Sequence, residues 1–189
     1  MKYEVIVMGA SSGGLNAIRS VLTSLSENFS IPIVLVQHVS PRSDGQWIRS
    51  LDIIAGLNVK EADEKETIEK GNIYVAPPNY HLLIETNRTF SLTIDSRVNF
   101  ARPSIDVLFE SAADVYRDKM VGIIFTGANS DGAIGLKRIK ELGGTTIVQD
   151  PNSAESPYMP EAALSLMPAD YILTLEKIAE LLNKFDKDN

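Results

Sequence analysis

The chain has 189 residues, 44 % of them hydrophobic and 23 % charged, which suits one globular domain with a sizeable core. A formal net charge of −7 argues against nucleic acid as the main partner, because that affinity rests on clustered Lys and Arg. Cysteine is absent, which removes disulfides, thiolate metal sites and a cysteine nucleophile. No apolar run approaches the ~20 residues needed to span a bilayer, and no signal-like apolar region precedes the first strand. No membrane insertion and a cytoplasmic location are therefore expected.

Short β-branched runs alternate with longer amphipathic segments, which predicts an α/β fold. The expected architecture is a doubly wound, mostly parallel sheet with helices on both faces and an antiparallel hairpin. The first strand is expected at Tyr3 to Met8. A helix from Leu15 to about Leu25 follows, with Leu15, Ile18, Val21, Leu22 and Leu25 on one face. Pro32 to Gln37 reads as a strand buried on both sides, and Ser43 to Ile54 as a second helix. Glu61 to Lys70 is polar, and a strand at Ile73 to Ala76 is stopped by Pro77-Pro78. Leu82 to Glu85 and Thr89 to Ile94 form the hairpin around Asn87-Arg88. The second half predicts a helix at Ser104 to Tyr116, a strand at Met120 to Phe125, a helix from about Asp131 to Leu142 and a strand at Thr145 to Val148. A shorter strand at Ala169 to Leu173 follows, and Thr174 caps a final helix whose apolar face is Leu175, Ile178, Leu181, Leu182 and Phe185. No repeat, low-complexity stretch or linker divides the chain.

The junction after the first strand carries the chemistry. Gly9-Ala10-Ser11-Ser12-Gly13 fits the G-x-S-x-G pattern, in which a sharp strand-to-helix turn presents a serine hydroxyl for attack on a carbonyl. The same turn could instead cradle a phosphate at a helix N-terminus. In a doubly wound sheet, ligands gather beyond the carboxyl ends of the strands. Ser11-Ser12, Gln37-His38 and the loop Thr126-Gly127-Ala128-Asn129-Ser130-Asp131-Gly132 all fall on that rim. They supply a hydroxyl, a base and a carboxylate to orient the base. Each also has a plain structural reading. Ser11 is a small residue in a tight turn, Ser12 a helix cap, His38 a satisfied polar group at a strand end, and Asp131 the N-cap of the helix it begins. The chain order Ser11, His38, Asp131 differs from the Ser, Asp/Glu, His order of ordinary α/β-hydrolases, which changes the family and leaves the mechanism open.

A dinucleotide site fits poorly. Leu15 stands where a short-chain dehydrogenase has glycine, the strict G-x-G-x-x-G spacing is missing, and no tyrosine has lysine four residues on. No cofactor is expected, and two distant histidines without cysteine give no recognisable metal ligand set.

At these residues the chain resembles the catalytic domain of the chemotaxis protein-glutamate methylesterases, the CheB family. The similarity runs in order through Gly9-Ala10-Ser11-Ser12-Gly13-Gly14, Gln37-His38, Ile73-Tyr74-Val75-Ala76-Pro77 and Arg102-Pro103-Ser104-Ile105-Asp106-Val107-Leu108-Phe109. It continues through Thr126 to Ala133 and Met159-Pro160-Glu161-Ala162. The resemblance implies hydrolysis of glutamate γ-methyl esters on chemoreceptors, with deamidation of certain receptor glutamines. It implies Ser11 as nucleophile, His38 as general base and acid, Asp131 as the group fixing the imidazole, and an oxyanion hole from the backbone amides of Ser12 and Ala128. The family commonly has methionine at the place of Ala128 and Gly-Asn at Asn129-Ser130. Full-length members carry an N-terminal receiver domain, so residues 1–189 are expected to be the catalytic domain without it. Its partners would be a methylated chemoreceptor or related signalling protein and a separate regulatory or receiver protein. Two alternatives stay open: an inactive homologue that binds receptor helices, and an esterase of the same design acting on another substrate.

Overall fold

The computed structural model describes residues 2–40 and 42–189. Its centre is a seven-stranded sheet in which every neighbouring pair runs parallel. The strands in chain order are β1 (Val5–Ala10), β2 (Ile33–Gln37), β3 (Asn58–Glu61), β4 (Asn72–Val75), β7 (Met120–Ile124), β8 (Thr145–Gln149) and β9 (Tyr171–Leu173). A separate antiparallel pair, β5 (His81–Ile84) and β6 (Phe90–Thr93), is the expected hairpin. The helices are α1 (Gly14–Leu22), α2 (Gln46–Ala55), α3 (Ile105–Tyr116), α4 (Ala133–Glu141), α5 (Tyr158–Leu166) and α6 (Leu175–Lys187).

Strand order across the sheet is β3-β4-β2-β1-β7-β8-β9. The chain winds from β1 to one side, then crosses back to place β7, β8 and β9 on the other. The loops leaving β1 and β7 therefore diverge, and a crevice opens there at the carboxyl ends of the strands. Alternation along β1 divides the core into two layers, since successive side chains of a strand point to opposite faces. Ile6 and Met8 pack with Ile18 and Leu22 of α1, Ile48 of α2 and Leu182 of α6. Val5 and Val7 pack with Phe109 of α3, Leu136 of α4, Met159 of α5 and Phe90 of the hairpin. β1, β2 and β7 are buried along their whole length, as strands covered on both faces must be.

Several local readings differ from expectation. β3 lies between the expected helix, which ends at Ile54, and the polar stretch that starts at Glu61, where no strand is expected, and α5 also falls where no element is expected. Ser12 does not cap α1; that place belongs to Gly13 in the left-handed region. Asp131 does not begin α4 either, because Gly132 holds the N-cap and the helix starts at Ala133. Thr174 does stand at the N-cap of α6, although its side chain makes no capping bond.

Gly132 is demanded by its setting. Its φ of +95° suits only glycine, and a Cβ there would lie 2.5 Å from Ile124 Cδ1 and 2.6 Å from Ile105 Cγ2. Gly132→Ala therefore combines backbone strain with overpacking against β7 and α3, and should cost about 2–4 kcal/mol. Urea unfolding should show a lower midpoint with an unchanged slope.

Candidate active site

Ser11 and His38 are brought together by sheet register. Ala10 pairs with Gln37 across the parallel β1–β2 ladder, and the His38 amide donates to the Ala10 carbonyl at 3.0 Å. The next residue of each strand therefore leaves the sheet beside the other. Gln37 locks both exits: its Nε2 donates to the carbonyls of Ser11 and His38, each at 2.9 Å. The Ser11 amide donates to the Thr126 carbonyl just past β7 (3.0 Å), and the Gly14 amide closes the turn on the Ser11 carbonyl (2.8 Å).

The three side chains singled out in the sequence form one hydrogen-bonded row. His38 Nδ1 lies 3.2 Å from Ser11 Oγ, and His38 Nε2 lies 2.8 Å from Asp131 Oδ2. A carboxylate can only accept, so the imidazole proton sits on Nε2 and Nδ1 faces the serine as an acceptor. Asn129 Nδ2 also approaches Nδ1, at 3.2 Å. The His38 side chain is 13 % exposed and that of Asp131 is 0 % exposed.

Asp131 is held by the start of a different helix from the one it precedes in sequence. The amides of Ile105 and Asp106, the first two residues of α3, donate to its carboxylate at 2.7 and 3.2 Å. Ser104, the N-cap of α3, donates its hydroxyl at 2.8 Å, and Asn99 Nδ2 adds a contact at 3.2 Å. Burial pushes the Asp131 carboxyl up. The hydrogen bonds from His38, Ile105 and Ser104 outweigh that effect and hold it below the ordinary value of 3.8. Asp131 therefore stays charged beside His38 at neutral pH. The N-terminal end of a helix favours such a charge.

A second carboxyl lies behind it. Asp106 is only 4 % exposed; its Oδ1 accepts the Gly135 amide at 2.7 Å and its Oδ2 accepts Asn99 Nδ2 at 2.8 Å. Burial pushes its pKa up to about 6, against the Gly135 bond and with help from the charges of Asp131 and Glu110. His81, the other histidine, is fully used in support of this region. Its Nδ1 accepts the Ser104 amide at 3.2 Å and its Nε2 lies 3.1 Å from the Ser96 carbonyl.

Ser12 and Ala128 are exposed at the rim, and among the described residues neither amide donates to a protein acceptor. Their two segments are tied together by the Thr126 hydroxyl, which donates to the Ser12 carbonyl at 2.9 Å. The cleft over Ser11 and His38 has a volume of about 330 Å³, and Asn129, Arg97, Phe100 and Arg102 also line it. Asn99 is shared with a neighbouring cavity of about 470 Å³ between α4 and α5. Among the described residues no group of three or more His, Cys, Asp or Glu could hold a metal ion, and no helix is long and apolar enough to cross a membrane.

Asn99, Asp106 and the α3 N-terminus are the parts of the site that sequence reasoning missed. Pro103-Ser104 announces a helix start. Nothing local signals that its amides point at Asp131.

A hydroxyl, an imidazole and a buried carboxylate in hydrogen-bonded sequence, at the carboxyl edge of a parallel sheet, define a site of the serine-hydrolase kind. The model of the CheB methylesterase domain matches residues 6–182. A Thermotoga maritima protein-glutamate methylesterase/protein-glutamine glutaminase is 34 % identical over 182 residues, covering 95 % of this chain and 53 % of the relative. This chain thus spans about half the length of that relative. A Leptospira interrogans protein that carries the same name in provisional form is 58 % identical over 189 residues, covering 100 % of this chain and 98 % of its own. The crystal structure of the T. maritima CheB methylesterase catalytic domain superposes with a TM-score of 0.92 at 32 % identity, over 98 % of this chain and 100 % of that one. The chain belongs to the CheB methylesterase family.

The buried carboxyl pair makes a stability prediction. Between 3.8 and about 6, folded Asp106 keeps a proton that the unfolded chain has released. It therefore favours the native state as the pH falls through 6 and opposes it above 6. The shift is worth on the order of 3 kcal/mol. Urea unfolding across that range should show this component in the wild type, and Asp106→Asn should remove it. An identical pH profile in the two proteins would contradict the account.

Proposed function

We propose that this protein is a serine hydrolase that removes methyl groups from glutamate γ-methyl esters of chemoreceptors in signal adaptation. The observation that carries this reading is the row Ser11–His38–Asp131 in a chain of the CheB methylesterase family. His38 Nδ1 takes the Ser11 proton as Oγ attacks the ester carbonyl. The tetrahedral oxyanion is received by the backbone amides of Ser12 and Ala128, which have no protein acceptor among the described residues and so are available to donate. The C–O bond to methanol then breaks, and His38 returns the proton to the departing methoxide. Water, deprotonated by the same imidazole, attacks the glutamyl-serine ester. This releases the glutamate carboxylate and restores the hydroxyl. Asp131 keeps Nε2 protonated and stabilises the imidazolium, which its burial and low pKa equip it to do.

Deamidation of receptor glutamines uses the same steps with ammonia as the leaving group, and belongs to the same proposal. So do cytoplasmic action on the receptor, the reading of residues 1–189 as one catalytic domain, and control by a separate regulatory protein.

Methanol release from methyl-labelled receptor, measured for wild type and variants side by side, tests the assignment. Ser11→Ala should reduce release to background with the unfolding midpoint retained, and near-native turnover would overturn it. Ser12→Ala should be much milder, because its amide rather than its hydroxyl is used. Asp131→Asn should lower kcat by about 10³- to 10⁴-fold through loss of tautomer control. A loss of only a few-fold would reduce Asp131 to a capping group for α3.

A further inference from the structure

One wall of the cleft over Ser11 is a tight two-residue turn. Val98 and Ala101 exchange backbone hydrogen bonds of 3.1 and 2.8 Å, leaving Asn99 and Phe100 as the central pair, with φ of 48° and 64°. Turns with two positive φ values favour asparagine followed by glycine. Asn99 meets that preference and Phe100 violates it, since a bulky side chain in the left-handed region is a true outlier. Burial does not compensate, because Phe100 is 96 % exposed. Strain of this kind points to function when the fold does not need it. The turn is also fixed in place, because the Asn99 side chain is anchored on Asp106 and Asp131.

Arg97 stands beside it. Its guanidinium donates to the Phe100 carbonyl at 3.3 Å, and among the described residues no carboxylate lies within ion-pair distance, in a chain of net charge −7. Arg102 differs, since its guanidinium is taken up by Asn79 Oδ1 and the carbonyls of Ile94 and Asp95. The cleft thus presents an exposed aromatic ring on an anchored turn and two arginines that, among the described residues, lack a carboxylate partner. Arg97, with a single backbone acceptor, is the less committed of the two, and it and Phe100 line the same space as Ser11 and His38.

We propose that Phe100 and Arg97 read the polypeptide around the ester. Phe100 covers an apolar side chain of an amphipathic segment, and Arg97 pairs with a free carboxylate on the same segment. The preferred substrate is therefore an ester on an acidic, partly apolar polypeptide rather than a small soluble ester. This inference rests on the methylesterase reading above.

The test is the ratio of kcat/KM on a methyl-esterified receptor fragment to that on p-nitrophenyl acetate, with thermal unfolding recorded for each protein. Phe100→Gly should lower the ratio about tenfold, chiefly through KM on the fragment, as loss of an aromatic anchor does. It should also raise the unfolding temperature, because glycine relieves the turn. Arg97→Ala should lower the ratio similarly and weaken the salt dependence of kcat/KM on the fragment. An unchanged ratio in both variants would overturn the inference while leaving the methylesterase reading intact. Wild type that hydrolyses p-nitrophenyl acetate but releases no methanol from the fragment would overturn that reading, and this inference with it.

Discussion

The site depends on a buried carboxylate held by the first turn of a helix that it does not precede. Removing a charge such as that of Asp131 from water costs several kcal/mol unless donors replace the lost hydration. Here the replacements are the Ile105 and Asp106 amides, the Ser104 hydroxyl, Asn99 Nδ2 and the His38 ring. Four of the five come from the 99–106 stretch. That stretch therefore fixes the carboxylate, the carboxylate fixes the imidazole, and the imidazole faces Ser11. The helix end also satisfies its own amides in this way, which would otherwise lack partners.

The rest of the fold serves to make that meeting possible. β1 and β2 deliver Ser11 and His38 by register alone, with Gln37 clamping both exits. β7 delivers the Asp131 loop on the other side of β1, and α3 crosses the sheet face so that its N-terminus reaches the same rim. Gly132 lets β7 and α3 approach closely enough for the Asp131 carboxylate to reach the α3 amides. The hairpin contributes His81, which braces the Ser104 amide, so the two sides of the site share one set of supports.

Much of this was legible in the chain, and the failures have physical reasons. The buried strands β1, β2 and β7 announce themselves as apolar runs, and the rim placement of Ser11, His38 and Asp131 follows from strand ends. β3 did not, because Asn58–Glu61 is a short edge strand with one buried side chain, Val59, and no apolar run. α5 was hidden by Pro157 and Pro160, which read as breakers. Both fall where prolines are tolerated: Pro157 at the N-cap, and Pro160 in the first turn, where its missing N–H would have no intrahelical acceptor. Asp131 looks like the cap of the helix that follows it, and is instead bound to the first residues of one that begins 26 residues before it. Only tertiary contact reveals such a pairing. Asn99 and Phe100 escaped notice because a turn with two positive φ values normally carries a glycine, and this one has none.

The central claim is that His38, positioned by Asp131, activates Ser11 and no other hydroxyl. Reaction with a serine-directed fluorophosphonate, followed by peptide mass spectrometry, addresses it most directly. One adduct per chain on Ser11, formed rapidly in the wild type and slowed by orders of magnitude in His38→Gln, is the result expected. An adduct on Ser12, or labelling of Ser11 at an undiminished rate without the imidazole, would contradict it.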